Sequence, residues 1–437
     1  MKNFSKKNTL ILFLFAFIIR ILFAMYHKGF LTDTGCFWAW AMRVYEGGFG
    51  AFYSPDSFTD YPPGYMYILY FIGMLHSKLS LGYLSPGSLL LLRLPAIVCD
   101  LLAGYFLYRC AKRTHTEKAG FYFAMAYLFN PATILNSSIW GQVDAIYALL
   151  IVSIILLLME GKTIPAYFVY GLGILVKPQV LIFTPILLYG IWEHIFVKEF
   201  SLKKFCQNLF GGILAILCTF LLALPFGLDE VISQYTDTLS SYPYATVNAY
   251  NFWGLLGKNW MHQESSFLFT TYQNVGTFML VFLTLLSGVI FYLCRKCKER
   301  YFVTASFIII TTFLFSVRMH ERYLFPAMLL LLFTFLYRKH KAFVLSYGFI
   351  SIAHFLNVWH VLRYYDPSTF NPTSFGIISI SLLTVASGIY FYVQLVRYLQ
   401  HPEETSSDEI LPKAITAKMP LFIRKPESSS HVCKIIA

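Results

Sequence analysis

Apolar residues in this chain run in long uninterrupted blocks separated by short polar gaps. The blocks fall at 9–26, 87–108, 119–137, 145–159, 163–176, 179–195, 207–227, 271–293, 301–317, 323–337, 342–360 and 374–396. Such lengths suit segments crossing about 30 Å of hydrocarbon, where a helix satisfies its own backbone. Short alternating strands of the barrel type are absent from the pattern. The prediction is an all-α, polytopic transmembrane helical bundle of about 12 spans, filling residues 1–400.

Two gaps are too long to be mere connections. The first, 27–86, carries an apolar stretch at 65–79 that is short for a span and starts behind Pro62-Pro63, a good helix opening. It reads as a helix lying at the interface, and 34–46 as another. The second gap, 228–270, contains SYPYATVNAYNFWGLLGKNW, whose aromatic and amide groups suit either a surface flap touching sugar or lipid or a plain interfacial belt. Lys177-Pro178-Gln179 breaks the block from 163 to 195 into two short spans joined by a hairpin. After Gln400 the chain turns polar, and 401–437 reads as a disordered cytoplasmic tail.

Composition agrees: 57% of residues are hydrophobic, 19% aromatic and only 13% charged. With the N-terminus placed inside, 24 of the 34 Lys and Arg residues fall on the inner side, 8 on the outer and 2 within spans. That asymmetry follows the positive-inside rule and supports cytoplasmic termini, so the basic excess reports topology rather than nucleic-acid binding. The first block resembles a signal peptide, but no small-residue cleavage pattern follows, so it reads as a retained anchor in a multi-pass membrane protein, in the plasma membrane if the cell is bacterial. The cysteines show no paired spacing beyond Cys294 and Cys297, a lone CxxC. No glycine-rich phosphate loop appears, which argues against ATP chemistry on the inner side.

With this topology four polar clusters share the outer face: Asp33 with Asp60-Tyr61-Pro62-Pro63; Trp140-Gly141-Gln142-Val143-Asp144; Lys177; and Arg318-Met319-His320-Glu321-Arg322-Tyr323. Charge gathered at span ends marks a site more often than chance. Asp33, followed by Phe37, Trp38 and Trp40, suits a general base near a sugar, or a cap on the 34–46 helix. Asp60 is presented by the stiff Tyr-Pro-Pro that follows, as a turn acid or as a second carboxylate at the acceptor. Trp140 and Asp144, on one helical face, would set an indole beside a carboxylate, or Asp144 caps a helix end. Arg318, His320 and Arg322 alternate, and two guanidiniums with an imidazole suit a phosphate or a lipid headgroup. Arg93 and Asp100, in or near the second span, would pair with buried charges.

The order of Asp33, DYPPGY at 60–65, LRLPAIVCD at 92–100, NPATILNSSIWGQVDA at 130–145, GILVKPQ at 173–179 and RMHERYLFP at 318–326 resembles the GT-C membrane glycosyltransferases. The chain looks most like bacterial relatives of the second GPI-anchor mannosyltransferase and the dolichyl-phosphate-glucose-dependent glucosyltransferases. The resemblance implies an inverting transfer of a hexose, mannose favoured, from a polyprenyl phosphate donor to a glycan, lipid-linked or protein acceptor among membrane lipids. Asp33 matches the family's first-loop base and Asp60 the end of that loop. The 318–326 segment matches the loop at the donor phosphate, with Arg322 where the glucosyltransferases carry a Lys. Arg318, His320 and Arg322 would meet the phosphate; Tyr61, Trp140, Gln142, Asp144, Lys177 and Glu321 would meet sugar or acceptor. No cofactor is implied, and nothing in the spacing demands a divalent metal between Asp33 and Asp60. The rival reading is a lipid-linked glycan flippase, but transporters place polar groups at mid-membrane and carry internal repeats, neither of which is visible here.

Overall fold

A computed structural model describes residues 6–54, 58–197, 200–297, 299–338 and 340–400. The tail expected to be disordered lies outside them. Among the described residues the regular structure is helix apart from one two-residue strand pair, and every predicted apolar block carries helix. Among the described residues seven helices are long and apolar enough to cross a membrane: Lys6–Tyr26 (α1), Pro86–Thr114 (α4), the stretch Pro178–Val197, Leu202–Phe226, Tyr272–Leu293 (α13), Lys341–Tyr364 (α16) and Phe375–Gln400 (α17). The protein is an integral membrane protein. Four apolar helices are shorter: Asp144–Met159 (α7), Thr163–Val176 (α8), Arg300–Phe315 (α14) and Pro326–Tyr337 (α15). The predicted span at 119–137 is interrupted. Glu117–Leu128 (α5) stops before Asn130, whose side chain caps the short Pro131–Ile134 helix (α6), and a π-helical turn then runs from Leu135 to Trp140.

Both helices expected in the first long gap form. Leu31–Gly47 (α2) covers the predicted 34–46, and Pro63–Lys78 (α3) starts on the proline that the sequence offers for its first turn. They pack closely because Gly73 has no side chain: a Cβ there would overlap the Ala41 carbonyl oxygen. Phe37, Trp40, Tyr61 and Tyr65 join them in an aromatic cluster, with Phe37 lying 5.4 Å from Tyr61 and 5.7 Å from Tyr65, edge to face.

The aromatic and amide-rich segment of the second long gap, read as a surface flap or an interfacial belt, is tied to its neighbours by hydrogen bonds. It follows Leu228–Ser240 (α11), and its middle is a single turn, Phe252–Leu255 (α12). Asn251 Nδ2 donates to the Phe313 carbonyl at 2.8 Å, Trp253 Nε1 to the Phe315 carbonyl at 3.0 Å, and Asn357 Nδ2 to the Asn248 carbonyl at 2.8 Å. The loop is therefore stitched to the ends of α14 and α16 and forms a preformed wall. Two pairs of charges in the interior tie helices together. Arg20 of α1 meets Asp100 of α4 at 3.4 Å, with Tyr127 of α5 donating to the same carboxylate at 2.9 Å; Asp144 and Lys177 form the other pair.

Candidate active site

Asp33 stands in the first turn of α2, yet it does not cap that helix. The cap position belongs to Phe30, and no side-chain cap bond forms. The carboxylate faces across the fold, where its Oδ2 accepts from Trp140 Nε1 at 2.7 Å and from Gln142 Nε2. Among the described residues no hydrogen bond reaches Oδ1, so one oxygen is anchored and the other is available.

The local geometry of the Trp140 motif differs from the expectation that Trp140 and Asp144 share a face. The π-helical turn ends at Trp140, and Gly141 takes a left-handed conformation (φ 93°), after which α7 begins at Asp144. The two side chains part there. The indole reaches Asp33, whereas Asp144 is sealed from solvent and pairs with Lys177 Nζ, with Asn136 donating at 3.2 Å. Lys177 also lies over the rings of Tyr147 (5.1 Å) and Tyr323 (5.7 Å).

Asp60 is set by the end of the first loop. Trp40 Nε1 holds the Phe58 carbonyl at 3.0 Å and Gln234 Nε2 holds the Thr59 carbonyl at 2.8 Å. Asp60 Oδ1 is buried without a hydrogen-bond partner among the described residues. Burial pushes this carboxyl up to about 6, Asp33 adds to the shift, and Arg322 opposes it. Tyr61 places its hydroxyl 3.4 Å from Gln142 Oε1.

The fourth cluster folds as a tight turn zipped to the 242–263 loop, with Val247 N donating to the Met319 carbonyl at 2.8 Å. Arg322 is paired with Glu321 at 2.6 Å while its Nε is buried and has no hydrogen-bond partner among the described residues. Burial, with Arg322 and Lys177 nearby, holds His320 well below the usual imidazole range, which favours the neutral ring. Arg318 takes a left-handed conformation (φ 61°) and donates from Nε to Gln263 Oε1 at 2.8 Å.

These groups line two adjoining cavities. One, of about 480 Å³, is lined by Asp33, Trp140, Gln142 and Glu321 together with Trp40, Asn248, Trp260 and Tyr365. The other, of about 260 Å³, is lined by Lys177, Gln179, Leu181, Arg318 and Tyr323. Asp60, Tyr61, Tyr242, His320 and Arg322 stand on both walls. Every predicted site residue except Asp144 thus faces one cavity or the other, and Asp144 reaches them only through Lys177. Sequence reading missed Tyr242, Asn248, Trp260 and Tyr365. The first three lie in a loop flagged only for its composition, and Tyr365 stood in a gap between spans with no motif of its own.

What this defines is an all-α integral membrane protein with a carboxylate and a guanidinium gathered at one end of its helix bundle. The glycosyltransferase family 87 model matches residues 58–317, more than half of the 437, and the chain belongs to that family. It is a membrane glycosyltransferase, as the GT-C resemblance implied. Asp60, Tyr61, Trp140, Gln142, Asp144 and Lys177 lie within the matched stretch; Asp33 and Arg318–Arg322 flank it. No curated protein matches the sequence. Among solved structures, ArnT from Cupriavidus metallidurans bound to undecaprenyl phosphate is similar at 13% identity and a TM-score of 0.47, over 90% of this chain and 78% of that one.

Proposed function

We propose that the protein is an inverting transferase that moves a hexose, mannose favoured, from a polyprenyl phosphate to an acceptor hydroxyl at the outer face of the membrane. The observation that carries this reading is Asp33, a residue of the larger cavity's wall whose Oδ2 is fixed by Trp140 and Gln142 while no hydrogen bond among the described residues reaches Oδ1. Oδ1 takes the proton from the acceptor hydroxyl as its oxygen bonds to the anomeric carbon. On the far side the bond from that carbon to the phosphate oxygen breaks, and the phosphate leaves with the electron pair. A phosphate is a stable leaving anion, so charge stabilisation suffices in place of a strong acid. Arg322, with an unused buried Nε, supplies it; Arg318 and neutral His320 add donors.

A lipid donor fits the second cavity. Its cationic lining of Lys177, Arg318 and Arg322 meets Leu181, 41% exposed on the surface of the apolar Pro178–Val197 segment. Nearby, an apolar cavity of about 330 Å³, lined by Leu175, Phe220, Val231 and Tyr235 among others, suits an isoprenoid chain. Asp144 is proposed to orient Lys177 toward the sugar or phosphate rather than to touch either. The test is to incubate purified protein with labelled polyprenyl-phosphate-mannose, -glucose and -galactose. Release of polyprenyl phosphate from one of them supports the transferase; transport of the intact lipid without cleavage would make it a flippase.

A further inference from the structure

Trp260 has a backbone that its side chain should avoid. Its φ is +64°, and the Asn248 beside it sits at +57°. A bulky residue in that region is a true outlier, held only where its surroundings over-determine it, and such strain gathers at ligand sites. Here the surroundings do so. Trp260 N donates to the Thr246 carbonyl at 2.9 Å, its Nε1 donates to Asn248 Oδ1 at 3.0 Å, and Tyr244 abuts the ring edge-on at 5.1 Å. The indole so fixed stacks with Tyr365 at 6.0 Å with planes only 17° apart. Both rings line the larger cavity, the one that holds Asp33, Asp60, Glu321 and Arg322.

From this arrangement we infer that Trp260 and Tyr365 form the platform for a pyranose ring of the acceptor, and hence that the acceptor is a glycoside. The inference rests on the transferase reading above. A flat, rigid aromatic surface suits the C–H face of a sugar, and the charged groups on the same cavity wall suit its hydroxyl rim. A hydrocarbon acceptor would gain from the rings but would keep Asp60 Oδ1 and Arg322 Nε, both buried with no hydrogen-bond partner among the described residues, unsatisfied. A plain polyol would use the charges and leave the rings uncovered. Only a ligand with one apolar face and a polar edge uses both.

The test uses full-length protein in a detergent without a sugar headgroup, with whichever of the three donors is cleaved. Octyl mannopyranoside and octyl glucopyranoside are offered as acceptors beside octyl glycerol, which has hydroxyls but no ring. Transfer is expected to at least one pyranoside and not to octyl glycerol. Trp260→Ala and, separately, Tyr365→Ala should raise the acceptor KM about tenfold or more, equivalent to about 1.4 kcal/mol. The donor KM should move by no more than about twofold, and Trp260→Phe should restore most of the acceptor affinity. Tyr365 lies in the loop after α16, so its variant remains informative if Trp260→Ala fails to fold. Equal use of octyl glycerol, no transfer to either pyranoside, or a donor KM that rises with the acceptor KM would overturn the platform. Failure of the wild type to cleave any donor would instead remove the transferase reading, and the platform with it.

Discussion

Asp33, Asp60 and Arg322 occupy three different electrostatic settings within one cavity, and each setting has its own consequence. Arg322→Ala removes a buried charge-assisted donor and should raise the donor KM by the equivalent of about 1.5–3 kcal/mol. Arg318→Ala should cost less, because the Arg318 Nε is already committed to Gln263. Lysine at 322 should rescue only partly, since an ammonium lacks the fork. Donor kinetics for the three variants decide this, and unchanged values for Arg322→Ala would make the residue a headgroup anchor. Asp60 gives a pH prediction. Its folded-state carboxyl is raised from 3.8 to about 6, so between those values the native protein holds a proton that the unfolded chain has released. The site's contribution to stability is therefore present at low pH and lost as pH rises through about 6. Asp60→Asn should raise the melting temperature above pH 6 and leave it unchanged near pH 4. The opposite pattern would mean that Asp60 is held by a cation in the folded protein.

At the scale of elements, the hinge between α1 and α2 leads into Asp33 in the first turn of α2, and Arg93 of α4 holds that hinge. Its Nη1 donates to the carbonyls of Ala24 and His27, and it has no carboxylate partner among the described residues. The paired charge expected for Arg93 is therefore not what the fold uses, whereas Asp100 does meet one, in Arg20. Gly29, at φ +71°, is wedged where a Cβ would lie 2.7 Å from the Arg93 Nη2 and 2.6 Å from the Trp140 carbonyl oxygen. One guanidinium thus touches both the strand of chain leading to Asp33 and the turn that supplies its two donors. Gly29→Ala and Arg93→Lys should lower kcat more than they raise the donor KM, since they shift the base and leave the phosphate site alone. A rise in donor KM with kcat intact would show that the hinge serves the donor instead.

The apolar helices, the two helices of the first long gap and the gathering of the polar clusters were legible because each follows from local pattern: apolar length, Pro62-Pro63, and polar residues at block ends. The Trp140–Asp144 pairing was not, since a helical spacing rule cannot foresee a π-helical turn closed by left-handed Gly141. Tyr365 was invisible for a different reason: its partner, Trp260, is more than a hundred residues away, and only the tertiary stack brings them together.

For the whole molecule, orientation decides whether the proposed reaction faces outward. In a cysteine-free background, Glu264→Cys, exposed beside the site, should react with a reagent that cannot cross the membrane, and Thr114→Cys, exposed at the opposite end of α4 from Ser85, should not. Reaction at 114 from outside would invert the topology. The account's central claim is that Asp33 is the base of a transfer from a polyprenyl phosphate. The most direct measurement is polyprenyl phosphate release by Asp33→Asn protein, read beside donor affinity and melting temperature. The asparagine keeps the size and the contact to the Trp140 indole while removing the base. Donor affinity and stability should hold while turnover falls about 10²–10⁴-fold. A folded Asp33→Asn protein that still releases polyprenyl phosphate at close to the wild-type rate would contradict it.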